Sequence, residues 1–278
     1  MRKFLIFLII AISAGVFSYN WTPTRHYILV ALDAVDYVDR KVRRRLGIPL
    51  AGTPDLAKLR QRLKSENLEL GSAVFMRIFK REHELELWIR RDKKFVLFET
   101  YPICRWSGRL GPKLRQGDRQ APEGFYTVSR GQLNPNSRWY RSFNLGYPNL
   151  LDKSYGRTGD YLMVHGGCSS IGCYAMTNPV IGELWEFITH AFRGGQKRFH
   201  VHVFPFRMTD NNLALHTGNK WHEFWTDLKA GYDLFEANQI PPRISVCRKR
   251  YQAVAGRQGS VGNQTITRQC RKINVGSL

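Results

Sequence analysis

Apolar residues are spaced along this chain in three distinct ways. Phe4 to Phe17 is an apolar run whose only polar member is Ser13, preceded by Arg2 and Lys3. A basic flank and an apolar core are the make-up of an export signal. The uncharged stretch continues to Thr24, enough for the ~20 residues that cross a bilayer. Tyr19 and Trp21 suit its outer interface, and the basic start favours an inside amino terminus, so a signal anchor or signal peptide is expected over 1–24. The spacing changes at Leu32, where Val35, Val38, Val42 and Leu46 recur every three or four residues and predict a helix over 32–46. Thr53, followed by Pro54, predicts the cap of a second short helix through Leu56, Leu59 and Leu63. Residues 25–70 therefore form a helical juxtamembrane segment in this reading.

From Ser72 the pattern turns to short runs rich in Val, Ile, Phe and Trp, separated by charged or Gly/Pro/Asn turns. Strands are predicted at 73–79, 85–89, 95–104, 125–129, 142–145, 161–165 and 199–206. One long helix interrupts them. Asn178 is the expected cap, Pro179 its first residue, and Ile181, Leu184, Trp185, Ile188 and Phe192 its apolar stripe, ending at Gly194-Gly195. A further helix over 221–236 carries Phe224, Trp225, Leu228 and Phe235. The fold class is therefore mainly β with flanking helices (α+β): a β domain over 71–209, a helical extension over 210–240 and a tail over 241–278. That tail holds eight Lys or Arg and no acid, and a loosely ordered state is expected for it.

Charge and cysteine content narrow the partners. A formal net charge of +21 attracts polyanions. In an exported protein these are anionic lipid headgroups and the carboxylate-rich cell wall; no zinc module or aromatic RNA-binding signature supports nucleic acid. Export also places the five cysteines in an oxidising compartment, where an odd number implies one free thiol and up to two bridges. If Cys173 is the free one, three pairings of Cys104, Cys168, Cys247 and Cys270 remain. The economical one joins Cys104 to Cys168 and Cys247 to Cys270.

The chemistry concentrates in Val164-His165-Gly166-Gly167-Cys168-Ser169-Ser170-Ile171-Gly172-Cys173. A thiol needs a nearby base to become a nucleophile, and an imidazole of pKa ~6.5 accepts a proton near neutrality. Gly172, without a Cβ, lets the chain turn sharply and lets a carbonyl approach the sulfur and the adjoining amides. His200 and His202 alternate along one strand face, but two ligands without a third make a metal site poor. A zinc site at His165, Cys168 and Cys173 would lack a ligand and would quench the nucleophile. No metal or cofactor is expected.

His165-Gly166, then Ser170, Gly172, Cys173, Tyr174 and Met176, resemble the signature of the L,D-transpeptidases, the YkuD-type domain family of cysteine enzymes acting on peptidoglycan stem peptides. Ile171 stands where that signature has a second His, and Ala175 where it has Arg or Asn. These departures, with Tyr101-Pro102-Ile103-Cys104-Arg105-Trp106-Ser107-Gly108, Ala121-Pro122-Glu123-Gly124-Phe125-Tyr126 and Pro205-Phe206-Arg207-Met208-Thr209-Asp210, resemble the YafK-like branch, which includes a hydrolase detaching Braun's lipoprotein from peptidoglycan. The resemblance runs from about residue 71 to about residue 240. It implies a β-sandwich with the cysteine at a strand end, Cys173 as nucleophile and His165 as general base. A carbonyl of Ser169 or Ser170 would orient His165, and the Gly172 and Cys173 amides would form the oxyanion hole. Attack at the L-centre carbonyl of diaminopimelate would leave a thioester, and the acceptor would decide between crosslinking, lipoprotein or outer-membrane-protein anchoring, and hydrolysis. Arg105, Lys113 and Arg207 are candidates for pairing with substrate carboxylates, and Asn144 and Tyr147 for lining the cleft. A periplasmic enzyme tethered to the inner membrane is implied; a non-catalytic wall-binding module is the remaining alternative.

Overall fold

The computed structural model describes residue 35 and residues 38–270, so the expected signal anchor over 1–24 lies outside the described residues. The chain divides into two compact units, up to Ala51 and from Gly52. In the first, residues 38–46 are helical and Val38, Val42 and Leu46 face solvent. Among the described residues no helix is long and apolar enough to cross a membrane.

The second unit opens with a 3-10 turn, Leu56–Lys58, leading into α1 (Leu59–Ser65). The cap of the 3-10 turn is Asp55, whose carboxylate accepts the Ala57 amide at 3.2 Å, rather than the expected Thr53. Nine strands follow in two sheets. The first has the order β3-β2-β1-β9-β4, built from β1 (Val74–Phe79), β2 (Glu84–Arg91), β3 (Lys94–Pro102), β4 (Gly124–Ser129) and β9 (Arg198–Phe204). Its only parallel neighbours are β1 and β9. The second sheet has the order β5-β6-β7-β8, from β5 (Leu133–Ser137), β6 (Tyr140–Asn144), β7 (Met163–His165) and β8 (Tyr174–Ala175). The short helix α2 (Leu150–Ser154) lies between β6 and β7 in sequence, and α3 (Asn178–Arg193) follows β8.

Alternation within β1 explains the layering. Val74, Met76 and Ile78 enter the main core with Phe143 of β6, Val164 of β7, Tyr174 of β8 and Ile181, Leu184 and Ile188 of α3. Phe75 and Phe79 face the other way. That second face is covered by α5 (His222–Asn238), which supplies Trp225, Leu228 and Phe235, and by a hairpin of β10 (Arg243–Cys247) and β11 (Arg250–Val254), which supplies Ile244, Val246 and Tyr251. The short helix α4 (Asp210–Ala214) precedes α5. A sheet buried on both faces needs apolar side chains at successive positions, as in the fully buried run of β1. Each such large side chain contributes roughly 1.5–3 kcal/mol on leaving water.

The expectation of a loosely ordered tail is corrected here. Residues 243–268 contain β10, β11 and β12 (Thr267–Arg268), a three-stranded sheet in the same unit as the β domain. Cys247 is bridged to Cys270. The residues that dock the hairpin, Ile244, Val246 and Tyr251, are few enough that the surrounding basic residues masked them.

His200 and His202 lie on the face covered by this hairpin. His202 packs between Phe75 and Phe125, with ring centroids 4.8 and 4.6 Å away, and His200 Nε2 is 2.8 Å from the Gln264 carbonyl. Burial, reinforced by the nearby Arg198, pushes His200 down to about 4; burial, His200 and Arg77 push His202 well below the ordinary range. Both are therefore neutral in the folded protein. Groups with depressed folded pKa values stabilise above the unfolded pKa and lose that contribution as pH falls. For His200 alone the loss between pH ~6.5 and ~4 amounts to about 3 kcal/mol. Urea midpoints should fall steeply across that window, and His200→Gln should flatten the fall; an unchanged pH profile would contradict this assignment.

Candidate functional site

His165 ends β7 and Cys173 immediately precedes β8, and the two strands run parallel with Val164 beside Tyr174 and His165 beside Ala175. The register brings the thiol alongside Met163, whose amide donates to Sγ at 3.4 Å, while Sγ in turn points to the Tyr161 carbonyl at 3.7 Å. Among the five cysteines Cys173 alone is free, because Cys104–Cys168 and Cys247–Cys270 are both bridged. The economical pairing is the observed one.

The imidazole has one defined partner. His165 Nδ1 lies 2.5 Å from the carbonyl of Gly166. A carbonyl can only accept, so Nδ1 carries the proton and Nε2 is the basic nitrogen. This corrects the role expected for Ser170, whose hydroxyl instead donates to the Cys173 carbonyl at 2.6 Å and sits 3.3 Å from Ser107 Oγ. Trp139 stacks over the imidazole, with centroids 5.9 Å apart and planes at 28°. The same indole explains Gly167, at φ +82°, where a Cβ would sit 2.6 Å from the Trp139 ring. Sequence reasoning passed over Trp139; the Gly166-Gly167 pair was the available hint that something lies close against this backbone.

The loop from Gly166 to Gly172 is pinned at three points. The Cys104–Cys168 bridge ties it to the segment after β3. Asn178 Oδ1 accepts the Gly167 amide at 2.9 Å. That is why Asn178 is not the cap of α3: Thr177 takes that place, accepting the Val180 amide. Ser107 Oγ accepts the Gly172 amide at 2.5 Å. The Gly172 amide, expected in an oxyanion hole, is thus occupied, which leaves the Cys173 amide as the candidate donor beside the sulfur. Gly172 has φ +103°, a conformation that side chains with a Cβ rarely adopt. Ile171, where the signature has its second His, is 77% exposed at the tip of the loop.

Electrostatics set both groups neutral at rest. Burial pushes the Cys173 thiol up, opposed by the Met163 amide and the charge of Lys113. Burial pushes His165 down, opposed by the Gly166 carbonyl and reinforced by Arg138. Among the described residues no hydrogen bond joins the thiol to the imidazole, so the site is a neutral thiol beside a neutral base rather than a preformed ion pair. Such looseness is common before substrate binds.

The other candidates divide. Arg105 pairs through its backbone with Ala175, at 3.1 and 2.8 Å, and its exposed guanidinium has no acidic partner among the described residues. It stands one strand position outside β8, beside the site. Lys113 is buried against Asp118 Oδ1 and the Arg115 carbonyl, 6.0 Å from the Tyr147 ring, and acts on the thiol by its charge. Tyr147 is buried, with its hydroxyl donating to the Lys113 carbonyl, so it supports the Lys113 segment. Asn144 lies opposite Met163 and spends Oδ1 on the Gly146 amide. Arg207 is corrected outright: its guanidinium is held by Glu84 and Glu86 and lies over Phe79, on the face of β2 away from the thiol's sheet. It is a structural cation.

Comparison with known proteins gives the family. Residues 75–203 match the family model of the YkuD L,D-transpeptidase catalytic domain. The chain is 46% identical over 206 residues to YafK of Escherichia coli K12, whose name gives it provisionally as an L,D-transpeptidase; the match covers 74% of this chain and 81% of that one. The same figures hold for YafK of E. coli O157:H7. Among solved structures, the helical cell shape determining protein Pgp2 of Campylobacter jejuni is similar at 22% identity and a TM-score of 0.39, over 63% of this chain and 65% of Pgp2. Bd1075 of Bdellovibrio bacteriovorus is similar at 19% identity and a TM-score of 0.35, over 59% and 60%. The chain belongs to the L,D-transpeptidase family, and its YkuD-type catalytic domain contains both His165 and Cys173.

Proposed function

We propose that this protein is a periplasmic cysteine acyl-transfer enzyme acting on peptidoglycan stem peptides, held at the inner membrane by its amino-terminal apolar segment. The observation that carries the reading is the placing of the one free thiol, just before β8, beside a strand that ends in an imidazole whose Nδ1–H is fixed on the Gly166 carbonyl and whose Nε2 is basic. His165 Nε2 takes the thiol proton as Sγ attacks the carbonyl at the L-centre of diaminopimelate. The C–N bond to the following residue breaks, its amine leaves with that proton, and a thioester to Cys173 remains. The Cys173 amide stabilises the oxyanion. Arg105, beside β8 and without an acidic partner among the described residues, binds a substrate carboxylate. An incoming amine then resolves the thioester; water in that place makes the same site a hydrolase.

The acceptor is read directly by mass spectrometry of muramidase-digested sacculi after incubation with the purified protein. New diaminopimelate–diaminopimelate crosslinks, or incorporation of an added D-amino acid, mark transfer to an amine. Loss of lipoprotein-derived residues from stem peptides, without new crosslinks, replaces that acceptor with water. An unchanged muropeptide profile would overturn the proposal.

A further inference from the structure

Beside the segment that carries Lys113, two cavities of about 770 and 640 Å³ share Leu114, Lys220 and Trp221 in their walls. The first lies between residues 109–120 and the connection from α4 to α5. The second continues between the end of α2, the start of α5 and the turn joining β10 to β11. Every carboxylate in these walls is already matched: Asp118 by Lys113, and Glu223 and Asp227 by Arg250. Five exposed cations in the same walls, Arg109, Arg115, Lys220, Arg248 and Lys249, have no acidic partner among the described residues. Aromatic rings stand beside two of them. Lys220 Nζ sits 5.1 Å from the Trp221 centroid and Lys249 Nζ 5.5 Å from that of Tyr155, and Phe224 lines the same wall.

The hairpin turn gives an independent sign of purpose. Cys247 pairs with Arg250, so Arg248 and Lys249 are the two central residues, at φ +48° and +62°. A two-residue turn with both central φ values positive is strongly favoured by Asn-Gly and disfavoured by residues with long side chains. Residues held in such conformations persist where the surroundings fix them, and they cluster at ligand-binding sites. Here the Cys247–Cys270 bridge anchors the turn. Two long cations therefore occupy positions where local conformation argues against them and where they face the groove.

We propose that this groove binds a single carboxylate-bearing glycan strand of peptidoglycan, through residues other than His165 and Cys173, and so docks the enzyme on the polymeric wall. The proposal rests on the peptidoglycan reading above. Unpaired cations match the carboxylates of lactyl groups and stem peptides, and half-exposed rings match the apolar faces of sugars. A concave groove admits one chain, whereas a planar headgroup surface would reach only its rim.

The test uses the full chain carrying Cys173→Ala, so that binding is read without turnover. Arg248→Asn together with Lys249→Gly removes two charges and installs the residues the turn prefers. The melting temperature should rise, by roughly 2–4 °C per kcal/mol of relieved strain, while affinity for purified sacculi in cosedimentation falls about tenfold. Tyr155→Ser, at an exposed ring, and Arg115→Gln with Lys220→Gln should weaken sacculus binding without lowering the melting temperature. Undiminished sacculus binding by these folded variants would overturn the proposal. So would a loss seen on phosphatidylglycerol vesicles but not on sacculi, which would assign the groove to lipid. Because the thiol is already absent, a failure of the catalytic reading does not move this readout, and a failure of the groove leaves that reading intact.

Discussion

Replacing Cys173 with alanine is expected to abolish the change in muropeptide profile altogether, and His165→Ala to slow it by roughly 10²–10⁴-fold, the range general-base catalysis spans. The two losses have different causes, and pH separates them. The thiol is pushed up and the imidazole down by burial, so the competent resting state is neutral at both groups. His165 stays unprotonated, and able to accept the thiol proton, to below the pH of ordinary histidine titration. Activity should therefore hold on the acid side to below pH ~6.5. In the His165→Ala protein the residual activity should depend on free thiolate and keep rising above pH ~8.5. Alkylation of wild-type Cys173 by iodoacetamide should likewise be slow at neutral pH and still accelerating at pH 9. Rapid, pH-independent alkylation from pH 6 upward would reveal a preformed ion pair and contradict the neutral resting site. His165→Gln offers a further check: it keeps a polar side chain beside Trp139 but no base, so its activity should resemble that of His165→Ala.

Much of this was legible in the chain because it is local. The stripe of α3 repeats at helical spacing over sixteen residues, and the Val-, Ile- and Phe-rich runs of β1, β2 and β9 show in short windows. His165 and Cys173 stood out because residues 165–176 resemble the family signature, and the odd cysteine number left room for one free thiol. What escaped depends on contacts distant in sequence. Nothing near Ser170 reveals that its hydroxyl turns to the Cys173 carbonyl while the Gly166 carbonyl takes the imidazole. Asn178 and Thr177 are both good caps by type, and the choice fell to Thr177 because Asn178 is needed by the Gly167 amide. Arg207 reads as a free cation until β2 brings Glu84 and Glu86 beside it. The tail reads as disordered because its basic residues outnumber its apolar anchors, yet three of those anchors and one disulfide fix it on the sheet.

The largest stability loss is expected at Glu123, a residue whose neighbours in sequence give no hint of its partners. Its Oε1 receives Lys80 Nζ at 2.9 Å and the Gly111 amide at 2.7 Å, and Oε2 receives Trp225 Nε1 at 2.8 Å. Lys80 is fully buried and also donates to the carbonyls of Arg109, Gly111 and Ala121. These contacts fold residues 105–123 onto β1 and α5, and that segment carries Ser107 to the Gly172 amide and Lys113 to the vicinity of the thiol. Glu123→Gln leaves a buried ammonium without its counter-charge, which costs about 3–5 kcal/mol. The upper end is limited because a buried lysine can shed its proton, and burial already pushes Lys80 down. At ~2–4 °C per kcal/mol the melting temperature should drop by roughly 10 °C. Lys80→Met costs less in charge terms, since Glu123 keeps two N–H donors and Gln120 Nε2 still donates to the carbonyls of Arg109 and Gly111, so the main loss is that of the Lys80 hydrogen bonds at ~1 kcal/mol each. Combining Lys80→Met with Glu123→Gln should recover part of the loss, because the double variant buries no net charge. A cycle measured by urea unfolding decides it: additive losses would show that the pair is not coupled and that the 105–123 segment is held by its other contacts.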